Sequence, residues 1–299
     1  MININGVSKY YDTVKSLDNV TAEIKGGSIF GLVGSNGSGK STLLRIMCGI
    51  FRADGGEVLY DGENVYENVK LKDRIVYLSD DQFFLPSSTL MDMANMYAAV
   101  YSSFSWETYE KLVALFGLPK KRKISTFSKG MQKQSAILLG LSAKPKYLLC
   151  DETFDGLDPV MRQLVKRILA DEVAESGLTP IIASHNLREL EDICDHIGLL
   201  HKGGILFESE IDTLKENIHT VQAVFSREIS AEEIAKLGTV SIKQRSSMVT
   251  AVVRGTREEV AAKIEALNPE FYEIIPLTLE EIFISEMEER GYDYTKVVF

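Results

Sequence analysis

The chain has 299 residues, 45% of them apolar, which is enough for one large core with a smaller appended unit. Its formal net charge of −10 runs against a nucleic-acid-binding surface, which carries a basic excess, so no nucleic-acid partner is expected. No apolar run nears the roughly 18 residues that span a bilayer, and the start, MININGVSKYYD, lacks the basic flank and apolar centre of a signal peptide. Cys48, Cys150 and Cys194 are an odd, widely spaced set in apolar contexts, which reads as buried thiols in a reducing compartment.

In chain order, residues 29 to 33 read as a short buried strand and 42 to 48 as the start of a helix. IVYL, at 75 to 78, is a second apolar run, followed by Asp80 and Asp81. Helices are expected at 90 to 101 and 106 to 116, parted by the turn-like SSFS. Ser128 stands as the N-cap of a helix running to about residue 143. Residues 147 to 150 are too apolar for a sheet with one wet face and predict a central parallel strand. A helix at 161 to 174, a strand at 180 to 183, a helix at 187 to 194 and a hairpin turning at Gly203 and Gly204 complete an alternating α/β core. The pattern changes near residue 212. Strands at 220–225, 240–243, 248–253 and 271–275, with helices at 230–237 and 256–267, follow the split ferredoxin-like order βαββαβ, and a last helix covers 279–290. The same elements could equally pack on the core without a fold of their own. The expected division is an α/β domain over 1–212, with a helical subdomain at about 82–143, and an α+β region over 213–299.

GLVGSNGSGKST, residues 31 to 42, interrupts this core with a loop almost bare of side chains. Gly34-x-x-x-x-Gly39-Lys40-Ser41, lying between a strand and a helix, is the complete phosphate-binding pattern. Gly34, Gly37 and Gly39 let the backbone curl until consecutive N–H groups face phosphate oxygens, with no Cβ in the way. The stretch Gly34, Ser35, Asn36, Gly37, Ser38, Gly39, Lys40, Ser41 and Thr42 is therefore the candidate nucleotide cradle. Lys40 supplies a cation for the β- and γ-phosphates, Ser41 a hydroxyl for Mg²⁺, and the helix that follows its positive end. Such a loop serves kinases, GTPases and ATPases alike. YLLCDE, at 147 to 152, narrows the choice by ending an apolar strand in two carboxylates, where open α/β sheets bind their ligands. Asp151 is placed to hold the Mg²⁺ shell and Glu152 to polarise a water, which makes the reaction hydrolysis.

FSKGMQ (127–132), DETFDGLDP (151–159) and ASHNLRELEDICDHIGLLHKGGI (183–205) carry a further likeness. Together with the phosphate loop, the sequence over residues 2 to about 215 resembles the ATP-binding subunits of ABC transporters. The resemblance implies a P-loop NTPase fold of ABC type: an α/β core with a mixed sheet and a helical subdomain, followed here by a small C-terminal α+β region. It implies ATP as substrate, Mg²⁺ as cofactor and ATP hydrolysis as the activity. Ser128 and Gly130 would close over the γ-phosphate held by a partner subunit, Asp158 would be the acid of the inter-subunit loop, and His185 the γ-phosphate-sensing histidine. Tyr11 sits where the family stacks an aromatic on adenine, with Tyr10 leaving the register open. The family's glutamine after the strand at 75–78 is replaced: the register gives Asp80, a candidate Mg²⁺ ligand, with Gln82 the other candidate. Phe127, Lys129, Met131, Thr153 and Phe154 also depart from the family pattern without removing a catalytic group.

FSKGM, HKGG and the late TLEEIF (278–283) resemble the subfamily whose separate membrane subunits are of the ABC-2 exporter type. The implied assembly is a homodimer or heterodimer of ATP-binding subunits. It would sit on the inner face of the cell membrane as a cytoplasmic, peripheral pair beneath a separate permease and would drive export. The family docks the permease on the insert between residues 80 and 140, where Phe83, Phe84, Met91, Met93 and Met96 would equally serve as an adaptable apolar surface or as plain helix core. The alternatives are a soluble ABC-type ATPase not coupled to transport and a P-loop kinase. Translation-type members of the former usually carry two cassettes and repair types a long coiled coil, whereas this chain has one phosphate loop and no heptad run.

Overall fold

The computed structural model describes residues 1–227, 229–230, 233–234, 237–245 and 247–289. Two long strands open the chain, β1 (Ile2–Tyr11) and β2 (Val14–Ile24), turning at Asp12 with a positive φ of 52°. Then come β3 (Phe30–Val33), α1 (Lys40–Met47), β4 (Gly55–Tyr60), β5 (Glu63–Asn64), α2 (Val69–Lys72) and β6 (Ile75–Leu78). Three helices follow: α3 (Leu90–Val100), α4 (Trp106–Phe116) and α5 (Lys129–Ser142). Next are β7 (Tyr147–Asp151), α6 (Pro159–Ser176), β8 (Thr179–Ser184), α7 (Leu187–Glu191), β9 (His196–His201) and β10 (Gly204–Glu210). The last elements are α8 (Ile211–Glu216), β11 (Ile218–Val224), β12 (Thr239–Arg245), β13 (Met248–Arg254), α9 (Arg257–Glu265), β14 (Phe271–Pro276) and α10 (Leu279–Glu289).

The chain divides into two compact units, one from Met1 to Glu208 and a second beginning at Ser209, slightly before the expected break after residue 212. In the first unit a six-stranded sheet runs β10-β9-β3-β8-β7-β6, with β3, β6, β7, β8 and β9 paired in parallel. An antiparallel sheet in the order β2-β1-β4-β5 forms a second layer. Leu43, Leu44, Ile46 and Met47 of α1 join one core with Ile2, Ile4 and Leu17 of the antiparallel sheet and Phe30, Leu149 and Ile181 of the parallel one. Fully buried strands of this kind read as continuous apolar runs, which is why β7 and β8 stand out in the sequence. The antiparallel strands are less legible. β1 and β2 are partly exposed, and their pairing carries register shifts that break any clean alternation.

Helices α3 and α4 both pack on α5, and α5 also packs on β6. A capping box at Thr89–Asp92 starts α3, Ser105 caps α4, and Ser128 caps α5 by accepting from the Met131 N–H, so each start is fixed by a side chain before tertiary contacts are counted. The expected methionine-rich docking face is only partly present. Met93 is buried in the core while Met91 and Met96 are half-buried, leaving Phe83 and Leu85 before α3 and Val100 at its end as exposed apolar groups.

The second unit holds an antiparallel sheet in the order β12-β13-β11-β14. Val221 and Ala223, and Val249, Ala251 and Val253, alternate onto one face with Val260 and Ile264 of α9. The helix expected at 230–237 includes residues 231, 232, 235 and 236, which lie outside the described residues, as does residue 290 of the last helix.

Candidate functional site

Three parallel strands deliver the candidate residues to one edge of the sheet. The phosphate loop leaves β3 at Val33, Glu152 follows Asp151 at the end of β7, and His185 follows Ser184 at the end of β8. These strands are neighbours in the sheet, so residues distant in sequence meet at their carboxyl ends. The loop's glycines are demanded by shape. A Cβ at Gly34 would lie 2.5 Å from both the Leu200 carbonyl and Ser38 Oγ, and Gly39 enters α1 with φ 110°. Ser38 Oγ is buried with no hydrogen-bond partner among the described residues, which suits a loop whose polar atoms meet a ligand.

Lys40 is 6% exposed, its ammonium 2.7 Å from the Gly34 carbonyl and 3.3 Å from Glu152 Oε1. Glu152 Oε2 lies 3.0 Å from His185 Nδ1. A single carboxylate is thus held between a cation and an imidazole. Asp151 is 2% exposed and engaged at both oxygens: Ser41 donates to Oδ1 at 3.0 Å and Tyr77 to Oδ2 at 2.8 Å. The Arg45 guanidinium sits beside the Tyr77 hydroxyl. Burial, reinforced by the Asp151 charge, pushes the Tyr77 phenol well up, so it stays protonated and donates at neutral pH. The adjacent Ser41 hydroxyl and Asp151 carboxylate are hard oxygen donors of the kind Mg²⁺ takes, and hydroxyl hydrogen bonds already orient the carboxylate.

The other candidates separate into those the structure gathers and those it does not. Ser35, Asn36 and Gly37 form the outer rim of the loop, and Thr42 accepts from Ser16 at 3.0 Å. Tyr11 is exposed at the end of β1, edge-on to Phe51 at 6.2 Å, with Lys9 over its ring. Ser128 is exposed at the start of α5, and Gly130 lies close to the Gly156 carbonyl of the loop after β7. Asp158 caps α6, its carboxylate accepting from the Met161 N–H at 3.0 Å. Asp80 does not join Ser41 and Asp151. It is 60% exposed and pairs with Lys133 at 3.1 Å, while the Gln82 amide donates to the Ser79 carbonyl. Two contributors are unmarked in the sequence reading. Tyr77 orients Asp151, and Asp155 brings a carboxylate oxygen within 4.8 Å of ligand atoms of Glu152 and His185. The signal for Tyr77 is a polar-tipped aromatic in an otherwise aliphatic buried strand.

A family model described as ABC transporter matches residues 17–155. The ABC transporter ATP-binding protein YtrB of Bacillus subtilis is 31% identical over 286 residues, covering 96% of this chain and 98% of that protein. The bacitracin transport ATP-binding protein BcrA of Bacillus licheniformis is 30% identical over 219 residues, 72% of each chain. Among solved structures, an ATP-binding subunit of an ABC transporter superposes with a TM-score of 0.67 at 24% identity, over 72% of this chain and 92% of that one. Phosphate loop, paired carboxylates, full-length relative and fold agree: the chain belongs to the ABC transporter family, as an ATP-binding ATPase subunit.

Proposed function

We propose that this subunit works as a dimer of ATP-binding chains that drives export through a separate membrane permease, with Glu152 as the base of ATP hydrolysis. The observation that carries the chemistry is the Glu152 carboxylate held between Lys40 and His185, at 3.3 Å and 3.0 Å, beside the phosphate loop. Tyr11 stacks on adenine and the loop from Gly34 to Thr42 wraps the phosphates. Lys40 donates to β- and γ-phosphate oxygens. Glu152 takes a proton from the attacking water, whose oxygen bonds to the γ-phosphorus. The bond to the β–γ bridging oxygen breaks, and ADP and inorganic phosphate leave. His185 orients Glu152 and senses the γ-phosphate. Ser41 and Asp151 hold Mg²⁺, which when bound neutralises charge on the phosphates.

Ser128 and Gly130 sit at the N-terminus of a fourteen-residue helix, a natural anion site, and cap the γ-phosphate bound by the other chain. Asp158 lies at the same inter-subunit boundary. Among the described residues no helix is long and apolar enough to cross a membrane, which supports a transport path supplied by another subunit. Exposed Phe83 and Leu85 beside α3 support docking of that permease on the helical subdomain, with the chain peripheral on the cytoplasmic face. Export is supported by the FSKGM, HKGG and TLEEIF segments. Every candidate nucleotide-site residue precedes Ser209, which supports reading the unit that begins there as an accessory domain.

Glu152→Gln tests the reading. It keeps the shape of the side chain and removes the base, so Mg-ATP should still bind while turnover falls by about 10²–10⁴. Turnover near wild type would take Glu152 out of the mechanism.

A further inference from the structure

The backbone of Glu152 is held in an uncommon state. Its φ is +46°, in the left-handed region that residues other than glycine seldom adopt. The peptide groups on either side hold it there. The Glu152 N–H donates to the Ala183 carbonyl at 3.0 Å, and the Glu152 carbonyl accepts from Lys133 Nζ at 2.9 Å and, at the longer distance of 3.3 Å, from the Asp155 N–H. Lys133 belongs to α5, and its side chain is only 13% exposed. The same ammonium lies 3.1 Å from Asp80 Oδ1, in the loop after β6. One cation therefore joins three segments: the helix that begins at Ser128, the loop that follows β6, and the peptide that aims the Glu152 carboxylate.

We propose that Lys133 is a positioning residue for hydrolysis, which clamps the Glu152 carbonyl and, through its ion pair with Asp80, makes the aim of the catalytic carboxylate depend on both α5 and the loop after β6. The proposal rests on Glu152 being the base. Its physical content is leverage. A charged donor on a peptide oxygen fixes the plane of that peptide, and the plane sets the direction in which the Glu152 side chain leaves the backbone. At 1.5 Å of rise per residue, Lys133 lies about 7.5 Å along α5 from Ser128. The end of α5 that caps a nucleotide in the partner subunit is thus rigidly joined to the side chain that holds the base of its own site. The ion pair also gives Asp80 a task other than binding metal. It secures the cation from the solvent side, where an isolated exposed pair adds little stability but sets where the ammonium points.

The test uses steady-state kinetics of the full chain, with equilibrium binding of a fluorescent ATP analogue in Mg²⁺ and thermal midpoints as companions. Lys133→Met should lower kcat about 10- to 100-fold, the scale set by misplacing a reacting group. KM and nucleotide affinity should stay within about twofold, because no phosphate contact is touched. Lys133→Arg, which keeps a cationic donor, should recover most of the loss. Asp80→Asn should lower kcat a few-fold, add nothing in the Lys133→Met background, and leave the Mg²⁺ needed for half-maximal turnover unchanged. Wild-type kcat in Lys133→Met overturns the proposal, as does Arg performing no better than Met. A raised Mg²⁺ requirement in Asp80→Asn also overturns it and places Asp80 in the metal shell. If Lys133→Met does not fold, Asp80→Asn decides by itself: reduced kcat at an unchanged Mg²⁺ requirement supports the clamp, and wild-type kcat refutes it. Glu152→Gln run alongside separates the two levels, since unimpaired turnover there removes the reading on which the clamp depends.

Discussion

Replacing Tyr77 by Phe removes one oxygen from the most buried charge of the site. Asp151 is 2% exposed, so almost all its stabilisation comes from protein donors, and Tyr77 supplies one of them at 2.8 Å while Ser41 supplies the other at 3.0 Å. The phenylalanine ring fills the same volume, so the packing contribution changes little. What is lost is a hydrogen bond to an ionised acceptor, worth about 1.5–3 kcal/mol net. The sole tryptophan, Trp106, lies in α4 of the first unit and reports unfolding of that unit alone. Urea titration followed by its fluorescence, in buffer with a chelator, should show the variant destabilised by about 1.5–3 kcal/mol. Saturating Mg-ATP should shrink the difference, because a metal on Asp151 takes over part of the compensation. A loss below about 0.5 kcal/mol, the scatter of ordinary surface substitutions, would refute the role given to Tyr77. An undiminished loss with Mg-ATP would remove Asp151 from the metal shell.

Three further outcomes are expected. The buried thiols should resist Ellman's reagent in the native protein and react fully in denaturant, since burial pushes Cys150 up to about 12 and Cys48 and Cys194 higher still; rapid native labelling would contradict their placement. Asp61 is held well below the usual carboxylate range, foremost by Lys146 at 2.7 Å, so it contributes stability above its unfolded value of about 3.9 and loses it as pH falls through the lower folded value. Being 39% exposed, it is screened by solvent to about 1 kcal/mol at most; melting scans should show Asp61→Asn less stable at pH 7 and the gap narrowing below pH 4. Deleting residues 220–299 should leave ATP binding intact, and a truncated chain that is folded by circular dichroism yet binds no ATP would refute the two-part organisation.

The nucleotide loop was legible because its geometry leaves so little choice of residue. At Gly34 a single added carbon would strike a carbonyl, and at Gly39 the chain turns left-handed into α1, so the function is written in the glycines. The carboxylate strand was legible because a strand buried on both faces is apolar throughout until it reaches the site. β1, β2, β4 and β5 were not, since half-exposed strands with irregular pairing lack both an unbroken apolar run and a steady period of two. Lys133 was hidden for a different reason. Its partner is a main-chain carbonyl nineteen residues away, and no local side-chain pattern records a bond to so distant a backbone atom. Asp158 shows the converse: the same DP step that marks an inter-subunit acid by resemblance also spells an N-cap followed by a helix-starting proline, and in the folded chain it caps α6.

In the proposed arrangement each hydrolytic site would be built from two chains, Lys40, Asp151 and Glu152 coming from one and Ser128 from the other. Mixing two inactive variants tests it most directly. Lys40→Ala loses the phosphate cation, and Ser128→Arg puts bulk and charge where the γ-phosphate is capped. In a mixed dimer one site carries both defects while the other pairs an intact Lys40 with an intact Ser128. The account predicts that the mixture regains ATPase activity that neither variant has alone, and that the recovery grows with protein concentration as the dimer fills. If subunit exchange is demonstrated independently and no activity returns at any concentration, the shared site is contradicted.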